Sequence, residues 1–185
     1  MISQTLNEAD TKMKKAVEVT REDFAAIRTG RANPAMFTKL TVDYYGSPTP
    51  LQQLASFQTP EARTVLITPY DKSAMGAIEK SIRDSDLGVN PTDDGKTIRV
   101  TLPELTEERR KDYIKMARGK AEDGKIAIRN IRRTAKQAMD KMEKDGDVGK
   151  DDVTGAEKRL DALTKKHTDA IDELLKHKEA ELLEV

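Results

Sequence analysis

Cysteine and tryptophan are absent from this 185-residue chain, aromatic residues make up 4% of it, and 33 basic side chains are matched by 33 acidic ones. Without cysteine there is no disulfide framework, no thiolate metal site and no cysteine nucleophile, which suits a reducing compartment. So few aromatics supply neither a thick core nor a platform on which single-stranded bases stack. No apolar run approaches the roughly 20 residues of a transmembrane helix, and the opening residues Met1, Ile2, Ser3 and Gln4 do not form the basic and apolar regions of a secretion signal. A soluble, unexported, cytoplasmic chain without membrane contact is expected. What the chain has in excess is charge, at 36% of residues against the roughly 25% of ordinary globular domains. That balance fits helices with narrow apolar stripes and much solvated surface.

The zero total hides segregation. Residues 1–29 and 30–105 are each close to neutral, whereas residues 106–145 carry 13 basic against 8 acidic side chains and residues 146–185 carry 7 against 11. Blocks of opposite sign arise either from two faces of one assembly or from two solvated helices that pair with each other.

Three segments keep a helical period. Ile2, Leu6, Ala9, Met13, Ala16 or Val17, Thr20, Phe24 and Ile27 recur at steps of three and four, as do Tyr113, Ala117, Ala121, Ile128, Ile131, Ala135, Ala138, Met139 and Met142, and later Val153, Ala156, Leu160, Leu163, His167, Ala170 or Ile171, Leu174 and Leu182. Thr106 is placed to cap the second helix, with Glu107 and Glu108 in its first turn. Thr154 with Glu157 makes a capping box for the third, and Asp151 or Asp152 is the alternative cap. Narrow stripes need partners, so the three helices should form an elongated bundle, with the short Gly146-Asp147-Val148-Gly149 connection making the last two antiparallel neighbours.

Residues 30–105 follow another pattern. Leu40, Val42 and Tyr44 alternate with polar neighbours, as do Ile98, Val100 and Leu102, and both runs predict half-buried strands. Val65, Leu66 and Ile67 predict a more buried strand, and Met75, Ile78 and Ile82 a short helix that ends before Gly88. Five of the seven prolines fall between Pro34 and Pro69, where they punctuate turns and strand edges. The expected class is therefore mixed α and α+β: a three-helix bundle of residues 1–29 and 106–185, with a small α/β domain, residues 30–105, inserted through two adjacent connections that form a two-strand hinge. The molecule should be bent and extended.

Three site-like patterns fail on chemistry. Gly119 to Lys125 match the start of a phosphate-binding loop, but Ile126 stands where a Mg²⁺-binding hydroxyl is needed and no apolar strand precedes it. In a helical reading Gly124 lies on the apolar side and lets a neighbouring helix approach. His167 and His177 fall on different parts of one helix, and His167 fits a packed seam. The acids Asp145, Asp147, Asp151 and Asp152 lack the central glycine and twelfth-position glutamate of a calcium loop. No catalytic residue, metal site or cofactor is expected, and the chain is read as a non-enzyme.

A positive pattern remains. Projected at about 100° per residue, Lys111, Lys115, Arg118, Lys125, Arg129, Arg132, Arg133 and Lys136 fall within an arc of roughly 100°, with Glu122 the one acid among them. Pairing with the acidic third helix is one explanation. The other, which we favour, is a phosphate-binding ridge, because the planar guanidinium fork matches phosphate oxygens. Folded RNA recognised by shape fits better than single strands.

Five motifs in order then resemble the bacterial ribosome recycling factor family along the whole chain: Arg28-Thr29-Gly30-Arg31-Ala32-Asn33-Pro34, Tyr44-Tyr45-Gly46-Ser47-Pro48-Thr49-Pro50-Leu51, Asp86-Leu87-Gly88-Val89-Asn90-Pro91, Leu102-Pro103-Glu104-Leu105-Thr106-Glu107-Glu108-Arg109-Arg110 and Arg129-Asn130-Ile131-Arg132-Arg133. The resemblance implies an L-shaped bundle with a hinged α/β domain. It also implies a translation factor, monomeric, that acts on post-termination ribosomes with elongation factor G and GTP to split the subunits and free mRNA and tRNA. Carried over by position, it implies large-subunit rRNA contacts at Arg129, Arg132 and Arg133, further rRNA contacts at Arg28 and Arg31, and a hinge at Gly30, Arg31, Glu104 and Leu105. The stretch from Gly146 to Gly155 is less regular than the family pattern, which leaves the start of the third helix open. The alternative function is a helical scaffold or adaptor that pairs with a protein through its charge blocks.

Overall fold

The computed structural model describes residues 1–184. Its elements run in the order α1 (Ile2–Ala25), α2 (Ala35–Thr38), β1 (Thr41–Tyr44), β2 (Ser47–Pro50), β3 (Ala55–Glu61), β4 (Thr64–Pro69), α3 (Met75–Arg83), β5 (Pro91–Asp93), β6 (Ile98–Thr101), α4 (Glu107–Lys144) and α5 (Lys150–Leu183), with short 3-10 turns at Leu51–Gln53 and Lys72–Ala74. Two compact units result: Met1–Phe24 with Ile114–Glu179, and Ala25–Tyr113 with the residues from Ala180 on. The first turns of α4 and the end of α5 thus group with the α/β part, so the compact units are not cut where the sequence pattern changes.

The first unit is the helical bundle. On α1 the buried positions are Leu6, Ala9, Met13, Val17, Thr20 and Phe24, the predicted stripe with Val17 in place of Ala16 and without Ile2, which is half-buried. Ala117, Ala121, Ile128 and Met139 of α4 and Ala156, Leu160 and Ile171 of α5 are all but inaccessible. At Gly124 the three helices approach closely. A Cβ built there would fall inside van der Waals contact with Thr20 Oγ1 and 2.8 Å from Ile171 Cδ1. The missing side chain is what lets α1 and α5 approach α4 at that level.

Helix ends follow local chemistry. Thr106 Oγ1 accepts from the Arg109 N–H at 3.1 Å, the expected N-cap of α4. At its far end Gly146 takes φ 78°. The Gly146 N–H bonds the Glu143 carbonyl at 3.0 Å and the Asp147 N–H bonds that of Met142 at 2.9 Å, the paired bonds of a Schellman motif. The third helix starts earlier than the Thr154 capping box requires. Thr154 lies inside α5, its hydroxyl donating to the Lys150 carbonyl at 3.0 Å, and the Gly149 N–H donates to Asp152 Oδ2 at 3.3 Å. Asp151 and Asp152 occupy the first turn, where the helix dipole favours acids.

His167 is 4% exposed, and its Nε2 lies 2.7 Å from Asp10 Oδ1, with Lys14 Nζ 3.2 Å from the other carboxylate oxygen. The hydrogen bond from His167 holds the Asp10 carboxyl below its ordinary range, aided by Lys14 and opposed by partial burial. A carboxyl depressed in the folded state adds stability that is present above its unfolded value and lost as pH falls through the folded one. The difference in unfolding free energy between the native chain and Asp10→Asn, from denaturant titrations, should therefore be largest above about pH 4 and shrink below it. A difference that does not change with pH would remove Asp10 from the pair.

The second unit holds two antiparallel sheets. One is the β1–β2 hairpin, with Val42 opposite Thr49 and Tyr44 opposite Ser47. The other has strand order β3-β4-β6-β5, so β4 is interior, in keeping with its fully buried Val65 and Ile67. The predicted run 40–45 is a strand only over Thr41–Tyr44, because Tyr45 turns the chain, and the run 97–102 is a strand over Ile98–Thr101. The expected helix is α3. Phe37, Val42, Leu51, Ile78 and Ile98 share one core, and the Ser81 hydroxyl ties α3 to the Thr41 carbonyl at 2.8 Å.

Both connections into the α/β part are irregular backbone, not ladder strands. Each is tied to the same β3–β4 turn: the Ala32 N–H donates to the Ala62 carbonyl at 2.6 Å and the Leu102 N–H to that of Arg63 at 2.7 Å. Among the described residues, no helix is long and apolar enough to cross a membrane.

Candidate nucleic-acid interface

The ridge on α4 is partly zipped to α5. Arg118 Nε meets Glu179 at 2.6 Å, Lys125 meets Asp172 at 2.7 Å, and Arg132 meets Asp161 at 2.6 Å with Glu157 at 4.0 Å. Lys136 reaches Asp140 on its own helix at 2.6 Å and Glu157 at 3.8 Å. Hydrogen bonds from Glu179 and Asp140 raise the pKa of Arg118 and Lys136 respectively, which keeps both firmly cationic. The acidic block of the third segment thus serves in part as the counter-charge for the basic block of the second.

The remainder of the ridge faces solvent. Arg129 is exposed and pairs along its own helix with Glu122 at 3.2 Å. Arg133 is exposed, and its guanidinium bonds the neutral amide oxygen of Asn130 at 2.5 Å. Arg133 and Lys115 make no ion pair among the described residues, so their charge is uncompensated locally. Exposed ion pairs of the kind made by Arg129 and Arg118 are each worth about 0–1 kcal/mol, and a phosphate can displace them. The seven residues Gly119 to Lys125 are continuous helix within α4, with no phosphate loop.

The predicted residues near the connections separate into two environments. Arg31 is exposed, and its backbone is held by the Thr29 hydroxyl, which donates to the Arg31 carbonyl at 3.2 Å. Arg28 is 4% exposed. Its Nη2 donates to the Pro103 carbonyl and its Nε is buried without a partner among the described residues. Burial pushes the guanidinium below its ordinary pKa, and the nearby Arg63 and Arg109 act in the same direction. Arg28 therefore bridges the two connections and does not present its charge to solvent here. Gly30, Arg31, Glu104 and Leu105, the predicted hinge residues, are brought together around one cavity of about 680 Å³ that Arg63 and Arg110 also line.

Sequence patterning held no sign of the Arg28 to Pro103 bond, since nothing in the spacing of residues 75 apart reports a carbonyl contact. Nor did it reveal the hydroxyl network of Tyr44, Tyr45, Asp71 and Ser73, although a bulky residue directly before Gly46 was a usable signal. With basic side chains on one helical face, the arrangement can hold polyanions, and among the described residues no group of three or more His, Cys, Asp or Glu side chains could hold a metal ion.

The sequence profile of the family described as Ribosome recycling factor matches residues 20–183. The ribosome-recycling factor of Nocardioides sp. is 74% identical over 185 residues, the whole of both chains, and that of Acidothermus cellulolyticus is 69% identical over the same span. A solution structure of the ribosome recycling factor superimposes with a TM-score of 0.76 at 39% identity, covering 100% of this chain and 98% of that one. A second structure, of the T. thermophilus ribosome recycling factor with E. coli elongation factor G bound to the E. coli post-termination complex, gives a TM-score of 0.69 at 41% identity with both chains fully covered.

Proposed function

The chain belongs to the ribosome recycling factor family, and from that membership we propose that it acts on ribosomes after termination. In this reading it binds through large-subunit rRNA and, with elongation factor G and GTP, separates the subunits so that mRNA and tRNA leave. The observation that carries it is full-length kinship with ribosome-recycling factors, at 74% identity in one case, in a chain whose α4 presents exposed arginines. Arg129, Arg132 and Arg133 are assigned to rRNA phosphates, together with Arg31. Arg28 contributes from behind, by joining the connections that carry Gly30, Arg31, Glu104 and Leu105, which serve as the hinge between residues 30–105 and the bundle. GTP is hydrolysed on the partner, so this chain needs no cofactor. It works as a monomer in the cytoplasm.

Cosedimentation with ribosomes over a salt series tests the assignment. Arg133→Ala should weaken binding and reduce the slope of log affinity against log salt by about 0.7 to 0.9 for each phosphate that is no longer neutralised. Arg132→Ala should do the same while also releasing Asp161. An unchanged affinity and slope would remove the residue from the rRNA-binding surface. Partner binding that survives ribonuclease and ignores both substitutions would point to a helical adaptor instead.

A further inference from the structure

The α/β unit carries an aromatic cluster that the ridge does not use. Tyr45 and Tyr70 are 78% and 70% exposed, the largest values among the exposed large apolar side chains of the described residues. Tyr45 is also the one non-glycine residue with positive φ among them, at 51°, followed by Gly46 at 80°. Positive φ at both positions is the signature of a type I′ hairpin turn, in which asparagine or aspartate before glycine is the unstrained choice. A bulky residue held in the left-handed region against its preference is a pointer to use.

The ring is also fixed. Asp71 caps the 3-10 turn at Lys72, its Oδ1 accepting from the Ser73 N–H at 2.9 Å and the Ser73 hydroxyl at 2.7 Å. Its Oδ2 accepts from the Tyr44 hydroxyl at 2.8 Å. Since the Ser73 proton goes to Asp71, its oxygen is free to accept the Tyr45 hydroxyl 3.0 Å away. The rings of Tyr44 and Tyr45 meet edge to face with centroids 4.6 Å apart. Hydrogen bonds from the Ser73 hydroxyl and backbone keep Asp71 ionised, so a negative charge is held at the hydroxyl end of the exposed Tyr45 ring.

Local charge selects the partner. Between Lys39 and Arg63 the chain has no basic residue and carries Asp43 and Glu61, and Lys72 is the lone cation beside Asp71. A stretch so poor in cations offers little to a phosphate backbone. Aromatic faces backed by carboxylates hold guanidinium or ammonium groups.

We propose that Tyr45, braced by Asp71 and Ser73, and the exposed Tyr70, which directly precedes Asp71 in the chain, form a docking surface for arginine or lysine side chains of a protein met on the ribosome. This rests on the ribosomal reading above. The partner contributes the cation, and the strained turn pre-orients the ring that receives it.

Photo-crosslinking reads this directly. Full-length chain carrying benzoylphenylalanine at position 45, or in a second variant at position 70, is bound to post-termination ribosomes with elongation factor G, irradiated and digested, with position 58 as the exposed control. The proposal expects protein adducts at 45 and 70, attached within a few residues of arginine or lysine, and little at 58. Adducts to RNA, or none above the control while cosedimentation is retained, would overturn it and leave the ribosomal reading intact. A native chain that fails to cosediment would overturn both. As a second measure, Tyr45→Ala should weaken association about two- to five-fold and Tyr45→Phe should restore most of it; equal weakening by both would contradict a ring-face interaction.

Discussion

Gly124→Val is expected to lower the unfolding free energy by about 3 kcal/mol, while Gly119→Ala, five residues earlier on the same helix, should raise it by about 0.5 to 1 kcal/mol. The two glycines differ only in what surrounds them. A side chain at 119 meets nothing within 4 Å, whereas one at 124 meets Thr20 Oγ1 and Ile171 Cδ1 at distances atoms do not tolerate. Ile171 can turn its terminal methyl aside, but Thr20 Oγ1 is tied to the Ala16 carbonyl at 3.0 Å and cannot. Alanine at 124 gains about 1 kcal/mol of helix propensity and so should be milder than valine. For a chain of this size each kcal/mol moves the melting temperature by about 2–4 °C, and on that scale Gly124→Val melts roughly 6–12 °C below the native protein. Thr20→Ala should rescue Gly124→Ala, so that the double variant is more stable than the sum of the singles. Circular dichroism melts and denaturant titrations check all of these. If Gly124→Ala and Gly119→Ala shift stability alike, close approach of the helices at that level is wrong.

That glycine was legible beforehand because a helical register assigns every residue a face. The same logic placed His167 in the seam and identified the buried positions of α1. Registers say less about ends. The Thr154 and Glu157 pattern pointed to a later start for α5 than Lys150, since that pattern is also satisfied inside a helix, where a threonine hydroxyl bonds the carbonyl four residues back. In the α/β part the strands with apolar alternation, β1 and β6, were found nearly intact. The Ser-Pro-Thr-Pro run of β2, the polar β3 and the short β5 carry too little alternation to be seen, and they exist because β1, β4 and β6 offer them ladder partners.

The ridge shows where periodicity stops. Projection put the cations on one arc, but which of them meet α5 depends on side-chain reach. Arg118, Lys125 and Arg132 find acids there, and Arg133 does not. Arg28 marks the opposite limit. Motif likeness placed it among the rRNA contacts, and only the fold revealed that its guanidinium is spent on the Pro103 carbonyl. Charge segregation within a neutral chain has a simple consequence. Much of the ridge is neutralised internally, an arrangement suited to local anion binding without indiscriminate attraction to polyanions.

The proposed function has this chain convert another factor's GTP hydrolysis into separation of ribosomal subunits. A stiff element anchored on rRNA speeds separation only if the pose it takes with the partner is bound more tightly in the separating state than in the intact ribosome. Binding alone would not do this, because equal affinity for both states shifts nothing. The decisive measurement follows post-termination ribosomes on sucrose gradients or by light scattering after adding the chain, elongation factor G and GTP. The predicted result is conversion to free subunits that requires all three additions and is abolished when Arg132 and Arg133 are both replaced by glutamate. Ribosomes that stay intact under the complete mixture, with the chain shown to be bound, would contradict it.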